Sequence, residues 1–174
     1  MFLQISLVGF ALIALVAAIP QTDFPQEYPH PASLKEEHDQ IHRRLVRLTL
    51  VKGEVGKAAK ALADALHPHF AKEEETATPN LALLAPLVAG KKISGVDDAI
   101  ARANKLRQTM KTMLVEHAAI RKAAEKLGKA GREYKVPEAT AFAEMLVHHA
   151  LNEEEVLYPA AILVGDFLKL KRTR

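Results

Sequence analysis

Apolar residues recur at steps of three and four along every long segment after Ser33, and no stretch alternates apolar with polar residues at a period of two. A chain patterned in this way buries helix stripes and has no face to offer a sheet. Four seams can be traced. The first runs through Leu34, His38, Ile41, Leu45 and Leu48, and the second through Leu62, Leu66, His69 and Glu73 with Phe70 beside them. The third runs through Leu106, Met110, Met113, His117, Ile120 and Leu127, and the fourth through Phe142, Leu146, His149, Glu153 and Val156.

Punctuation residues place the helix ends. Ser33 followed by Glu36 predicts a capping box for the first helix, which Gly53 closes. The second helix is expected from about Glu54 to Glu75, kinked at Pro68 and ended before Pro79. Asn80 to Lys92 reads as a short apolar connector. Ser94 with Asp97 opens the third helix, which closes near Gly128 or Gly131, and Pro137 suits the first turn of a fourth that is stopped or kinked at Pro159. The predicted fold is all-α: an antiparallel up-down four-helix bundle over residues 33–170.

The informative feature is what interrupts the seams. His38, His69, Glu73, His117, His149 and Glu153 fall where leucine is expected. A single histidine on such a seam is ordinarily a hydrogen-bonded core residue, but an ionised carboxylate in a bundle core costs several kcal/mol unless a cation or firm partner compensates it. No Lys or Arg falls on those seams at that level. A bound cation would compensate all six residues together. Imidazole and carboxylate without thiolate suit iron, manganese or zinc, and two carboxylates can bridge a pair of metals while two histidines hold each. A ferritin-like di-iron site would need Glu-x-x-His on two helices, and none of the four helices carries it.

The same residues form an internal repeat. Glu37-His38 returns as Glu116-His117, an offset of 79, and His69, Glu73-Glu74-Glu75 and Pro79 return as His149, Glu153-Glu154-Glu155 and Pro159, an offset of 80. Two helix pairs related in this way would present equivalent ligands to a shared centre. Glu37 and Glu116 are candidates to accept a ring N–H from a ligating histidine. Glu74, Glu75, Glu154 and Glu155 read as mostly solvated, and His67 and His148 as facing a neighbour or water.

Composition excludes several classes. With no cysteine, a disulfide scaffold, a thiolate metal site and a cysteine nucleophile are all ruled out. Of 24 Lys and Arg, set against 21 Asp and Glu, four lie in the last six residues, so the body of the chain is near neutral and lacks the basic face that nucleic acid requires. The His-Glu-x-x-His zinc motif is absent. Met1 to Ile19 carry no charge and read as a signal peptide or a membrane anchor, joined by a proline-containing tether at 20–32, and residues 171–174 form a basic tail. The bundle is therefore expected to be membrane-anchored or exported.

Glu37-His38, His69 to Glu73 with Pro79, Glu116-His117, and His149 to Glu153 with Tyr158-Pro159 resemble the hemerythrin family, in particular its hemerythrin-like cation-binding domains. The resemblance spans about residues 33–170. It implies two non-haem iron ions, His38 and His69 on one, His117 and His149 on the other, bridged by Glu73 and Glu153. It also implies a small partner: dioxygen, or a relative such as peroxide or nitric oxide, at a position that oxygen-carrying members leave open. Peroxidase- or catalase-like turnover and plain iron storage are the alternative activities. Oxygen carriers have a further histidine where this chain has Arg121, whose repeat counterpart is His42. His42 is therefore expected as a fifth histidine ligand on the first iron, leaving the open position on the iron of His117 and His149.

Overall fold

A computed structural model describes residues 30–173, and the apolar segment Met1–Ile19 with most of the tether lies outside the described residues. Among the described residues there is no strand, and no helix is long and apolar enough to cross a membrane. The elements are α1 (Ala32–Thr49), α2 (Glu54–Thr76), two short helices α3 (Thr78–Leu81) and α4 (Leu84–Val88), the long α5 (Val96–Glu133), and α6 (Pro137–Asn152). A five-residue π-helical stretch, Glu153–Leu157, joins α6 to α7 (Tyr158–Arg172).

Contacts between helices give the topology. His38 stacks on Phe70 and His42 lies beside His67, so α1 and α2 run in opposite directions. Pairs Glu75–Lys105 and His69–Glu116 do the same for α2 and α5, His117–Glu154 and Arg107–Asp166 for α5 against α6 and α7, and Arg44–Glu138 with Glu37–His149 for α1 and α6. Four neighbouring helices, each antiparallel to the next, enclose one interior. Ile41, Leu45, Leu62, Leu66, Ile120, Leu127, Phe142 and Leu146 fill one end. Ala77, Leu81, Leu106, Met113, Tyr158 and Ala161 fill the other. The polar seam residues lie between these two apolar blocks.

Several ends differ from their sequence cues. Helix α1 starts at Ala32 with no side-chain cap, because Glu36 turns to Gln40 and Arg43 in place of the backbone. Helix α5 begins after Gly95 in the left-handed conformation, again without a side-chain cap, and Asp97 pairs with Arg172. The second helix continues past Pro68 to Thr76. Gly128 and Gly131 do not end α5. They let α6 approach: a Cβ on Gly131 would lie 2.8 Å from the Thr140 nitrogen, and one on Gly128 would lie 3.1 Å from the Ala143 Cβ.

The fourth helix neither stops nor breaks at Pro159, which occupies the first turn of α7. The π-helical stretch accommodates an additional residue in the turn, which resets the face of the helix about 100° later in sequence. Val156, expected inside, is consequently 54% exposed, and Tyr158 is buried instead. The connector is ordered by Asn80, whose amide donates to the carbonyls of Ala99 (2.9 Å) and Ala161 (3.1 Å) and whose oxygen accepts from Arg102.

Helices α5 and α7 approach closely at Gly165, where an added Cβ would lie 2.3 Å from the Ala103 Cβ and 3.1 Å from the Ala99 carbonyl oxygen. Gly165→Ala is expected to destabilise the fold by about 1–3 kcal/mol through overpacking, measured as a lower denaturant midpoint. An unchanged midpoint would show that the two helices are not held at this distance.

Candidate metal centre

The His-x-x-x-Glu spacing on α2 and at the end of α6 puts imidazole and carboxylate on one helix face, one turn apart. The antiparallel topology then brings these two pairs together with His38 of α1 and His117 of α5. All six side chains are buried. Glu73 directs one carboxylate oxygen toward His69 Nε2 (3.3 Å) and His117 Nε2 (3.9 Å), and the other toward His38 Nε2 (3.9 Å). Glu153 mirrors it, with one oxygen near His117 Nε2 (3.4 Å) and the other near His149 Nε2 (3.0 Å) and His38 Nε2 (3.6 Å). Each carboxylate thus spans two histidine pairs, His69 with His117 and His38 with His149.

The opposite ring nitrogens face carboxylates outside the centre. His69 Nδ1 lies 3.0 Å from Glu116, His149 Nδ1 lies 3.0 Å from Glu37, and His117 Nδ1 lies 2.9 Å from Glu154. An Nδ1–H donated outward fixes the tautomer that leaves Nε2 as a lone-pair donor toward the interior. Two of the backing carboxylates are themselves held by cations, Glu116 by Lys72 and Glu154 by Arg121. His38 is oriented by stacking on Phe70, with ring centroids 4.1 Å apart and planes 3° from parallel.

The donors fit a cation better than they fit one another. Among the described residues neither Glu73 nor Glu153 has a Lys or Arg partner, and one buried polar atom, Glu73 Oε2, makes no hydrogen bond. Buried polar atoms are rarely left so. Within each of two groups the donor atoms all lie within 4.8 Å of one another: His69, Glu73, His117 and Glu153 in one, and His38, His149 and Glu153 in the other. These residues together form a buried His/Glu cluster that could bind metal.

Without a cation the protons distribute unevenly. Burial pushes the Glu73 carboxyl up. Burial acts the same way on Glu153, but bonds from His117, His149 and His38 prevail and hold it well below the usual carboxylate range. His149 resists burial through Glu153 and Glu37 and is pushed up to about 10. His69 is raised as well, against burial, by Glu73 and Glu116. Burial and the two central carboxylates push the Tyr158 hydroxyl up, so it stays protonated and donates to Glu73.

The family model for the hemerythrin HHE cation-binding domain matches residues 53–161, more than half of the chain. The chain belongs to the hemerythrin family. No curated protein and no solved structure matches it significantly. The matched stretch begins after α1, yet α1 of this hemerythrin-like domain delivers His38 into the cluster and Glu37 behind it.

Six of the seven expected metal residues, His38, His69, Glu73, His117, His149 and Glu153, are brought together. His42 is not. The buried seam continues through Ile41 and Leu45, which turns position 42 to the α1–α2 edge, where its exposed ring lies 5.0 Å from that of His67. Neighbouring rings are His69 with His117, 4.4 Å apart, and His38 with His149, 5.4 Å apart, whereas the resemblance implies His38 with His69 and His117 with His149. His67 and His148 are exposed, as expected. Glu154, expected in solvent, is instead the acceptor behind His117.

Tyr158 was not anticipated at the centre. Its hydroxyl lies 3.1 Å from His117 Nε2 and 3.3 Å from His69 Nε2. The sequence signal was its place, with Pro159, among the residues that carry the family resemblance.

A folded-state pKa of about 10 for His149, above the ordinary 6.5, means its proton stabilises the metal-free fold fully below pH 6.5 and ceases to do so as pH rises through about 10. The gap in thermal midpoint between metal-free wild type and His149→Gln is therefore expected to shrink across that window. A gap constant from pH 6.5 to pH 10 would contradict the assignment.

Proposed function

We propose that the protein is a non-haem di-iron protein that binds dioxygen, or a related small molecule such as peroxide or nitric oxide, for sensing, storage or detoxification. The carrying observation is the position of Glu73 and Glu153 between two histidine pairs, each with one oxygen toward each pair. In this reading His69 and His117 would hold one ion, His38 and His149 the other, and Glu73 and Glu153 would serve both. Manganese and zinc suit the same donors. Iron bound here would supply one-electron redox chemistry to a small molecule reaching the centre.

The chain's own residues contribute orientation and dryness. Glu37, Glu116 and Glu154 hold the imidazoles with Nε2 inward, and Lys72 and Arg121 steady two of those carboxylates. The apolar blocks on either side, with Leu66, Ile120 and Leu146 on one and Met113 and Ala77 on the other, keep bulk water from the donors. Exclusion of water strengthens each charge–dipole contact in the site. Met1–Ile19 would place this centre at a membrane or carry it across one.

Metal analysis of anaerobically purified protein, with optical spectra before and after admission of air, tests the reading. Two irons per chain and an absorption change on aeration that reverses on removal of oxygen are expected. Rapid turnover of hydrogen peroxide with no reversible oxygenation would favour an oxidoreductase, and folded protein that takes up no transition metal would refute the di-iron centre.

A further inference from the structure

The two halves of the centre are built from a repeat, and the repeat is broken at one informative position. Tyr158 and Thr78 occupy equivalent places, each directly before a proline and five residues after a bridging glutamate, Glu153 or Glu73. The tyrosine is long enough to reach the interior. Its hydroxyl faces His69 Nε2 and His117 Nε2 and donates to Glu73. Any cation that takes those two nitrogens meets the phenol oxygen as well.

Threonine at the equivalent place is too short to do this. Its hydroxyl is engaged away from the four central histidines, with His30 Nδ1 and, at 3.5 Å, the Glu73 carbonyl. A cavity of about 10 Å³ remains, lined by His38, Glu73, Glu153, Thr78, Leu34 and Tyr158. That volume holds about one water-sized molecule. The orphaned oxygen of Glu73, turned toward His38, belongs to this half.

We propose that the centre is asymmetric, with the Tyr158 oxygen ligating the metal of His69 and His117, and the small molecule binding beside Thr78 at the metal of His38 and His149. This rests on the di-iron reading and locates its exchangeable position. Ligation replaces the phenol O–H bond with an O–metal bond, and the proton leaves to solvent, as with other protonated ligands. An oxygen donor from the chain closes one half of the centre, while the shorter side chain leaves the other half accessible.

Protein reconstituted with ferrous iron and then oxidised provides the test. Wild type is expected to show a phenolate-to-iron charge-transfer band in the visible, with phenolate ring vibrations in the resonance Raman spectrum excited within it. Tyr158→Phe, which removes one oxygen from the side chain, is expected to abolish both while retaining its iron and its helical circular dichroism. Azide is the probe for the open side. Thr78→Leu, or Leu34→Phe should the first variant not fold, is expected to weaken azide binding about tenfold or more by overfilling the cavity, with the phenolate band intact.

Iron-loaded wild type without phenolate features, or Tyr158→Phe that keeps them, overturns the tyrosine ligand while leaving the di-iron reading standing. Azide affinity unchanged in both cavity variants overturns the placement of the open position. Wild type that binds no iron overturns both the asymmetry and the reading beneath it.

Discussion

Two carboxylates in a dry interior are the constraint around which the structure is arranged. Glu73 and Glu153 are almost completely buried, neither meets a Lys or Arg among the described residues, and the two face one another across four imidazoles. Burying one unpaired carboxylate costs several kcal/mol, and two side by side repel. Protons offset part of that cost, as the opposite shifts of Glu73 and Glu153 show. They still leave Glu73 Oε2 without a partner. A cation among the donors would satisfy this atom and both carboxylates at once, and the outward bonds of three histidines turn Nε2 inward.

The helical duplication explains how one short pattern builds such a centre. His-x-x-x-Glu sets two donors on a face, and the repeat supplies a second copy that the antiparallel packing turns toward the first. The copies then diverge where chemistry differs. Arg121 supports the carboxylate behind His117, whereas its counterpart His42 sits exposed at the bundle edge. The π-helical stretch after Asn152 carries Tyr158 inward, whereas α2 ends at Thr76 and leaves Thr78 at the equivalent place. Asn80 then pins that segment against α5 and α7, so the wall beside Thr78 is fixed by hydrogen bonds.

The four bundle segments, most seam positions and the convergence of six polar side chains could be read from the sequence because each depends on local spacing, whereas the short helices α3 and α4 were read as a connector. Leu45, Leu62, Leu106, Ile120 and Phe142 are all buried, as a three-four rhythm requires. The pairing of the histidines could not be read in that way, because it depends on which helices become neighbours at the level of the ligands. Val156 fell outside for a different reason: a π turn changes the phase of everything after it, and periodicity assumes that phase is constant. Glu154 was read as solvated because consecutive glutamates ordinarily are. Its role appears only when α5 is packed beside it. Helix starts were misread at Ser33 and Ser94 because their cue residues found side-chain partners or a glycine turn took over.

The central claim is that metal, and not a proton network alone, holds the buried donors. Thermal unfolding of chelator-stripped protein titrated with ferrous iron under argon tests this most directly, since a ligand bound only by the folded state raises the midpoint by mass action. The account predicts a midpoint that climbs with added iron and saturates at two equivalents per chain, with little rise in Glu153→Ala. A midpoint indifferent to iron, manganese and zinc, in protein that is folded before they are added, would contradict it.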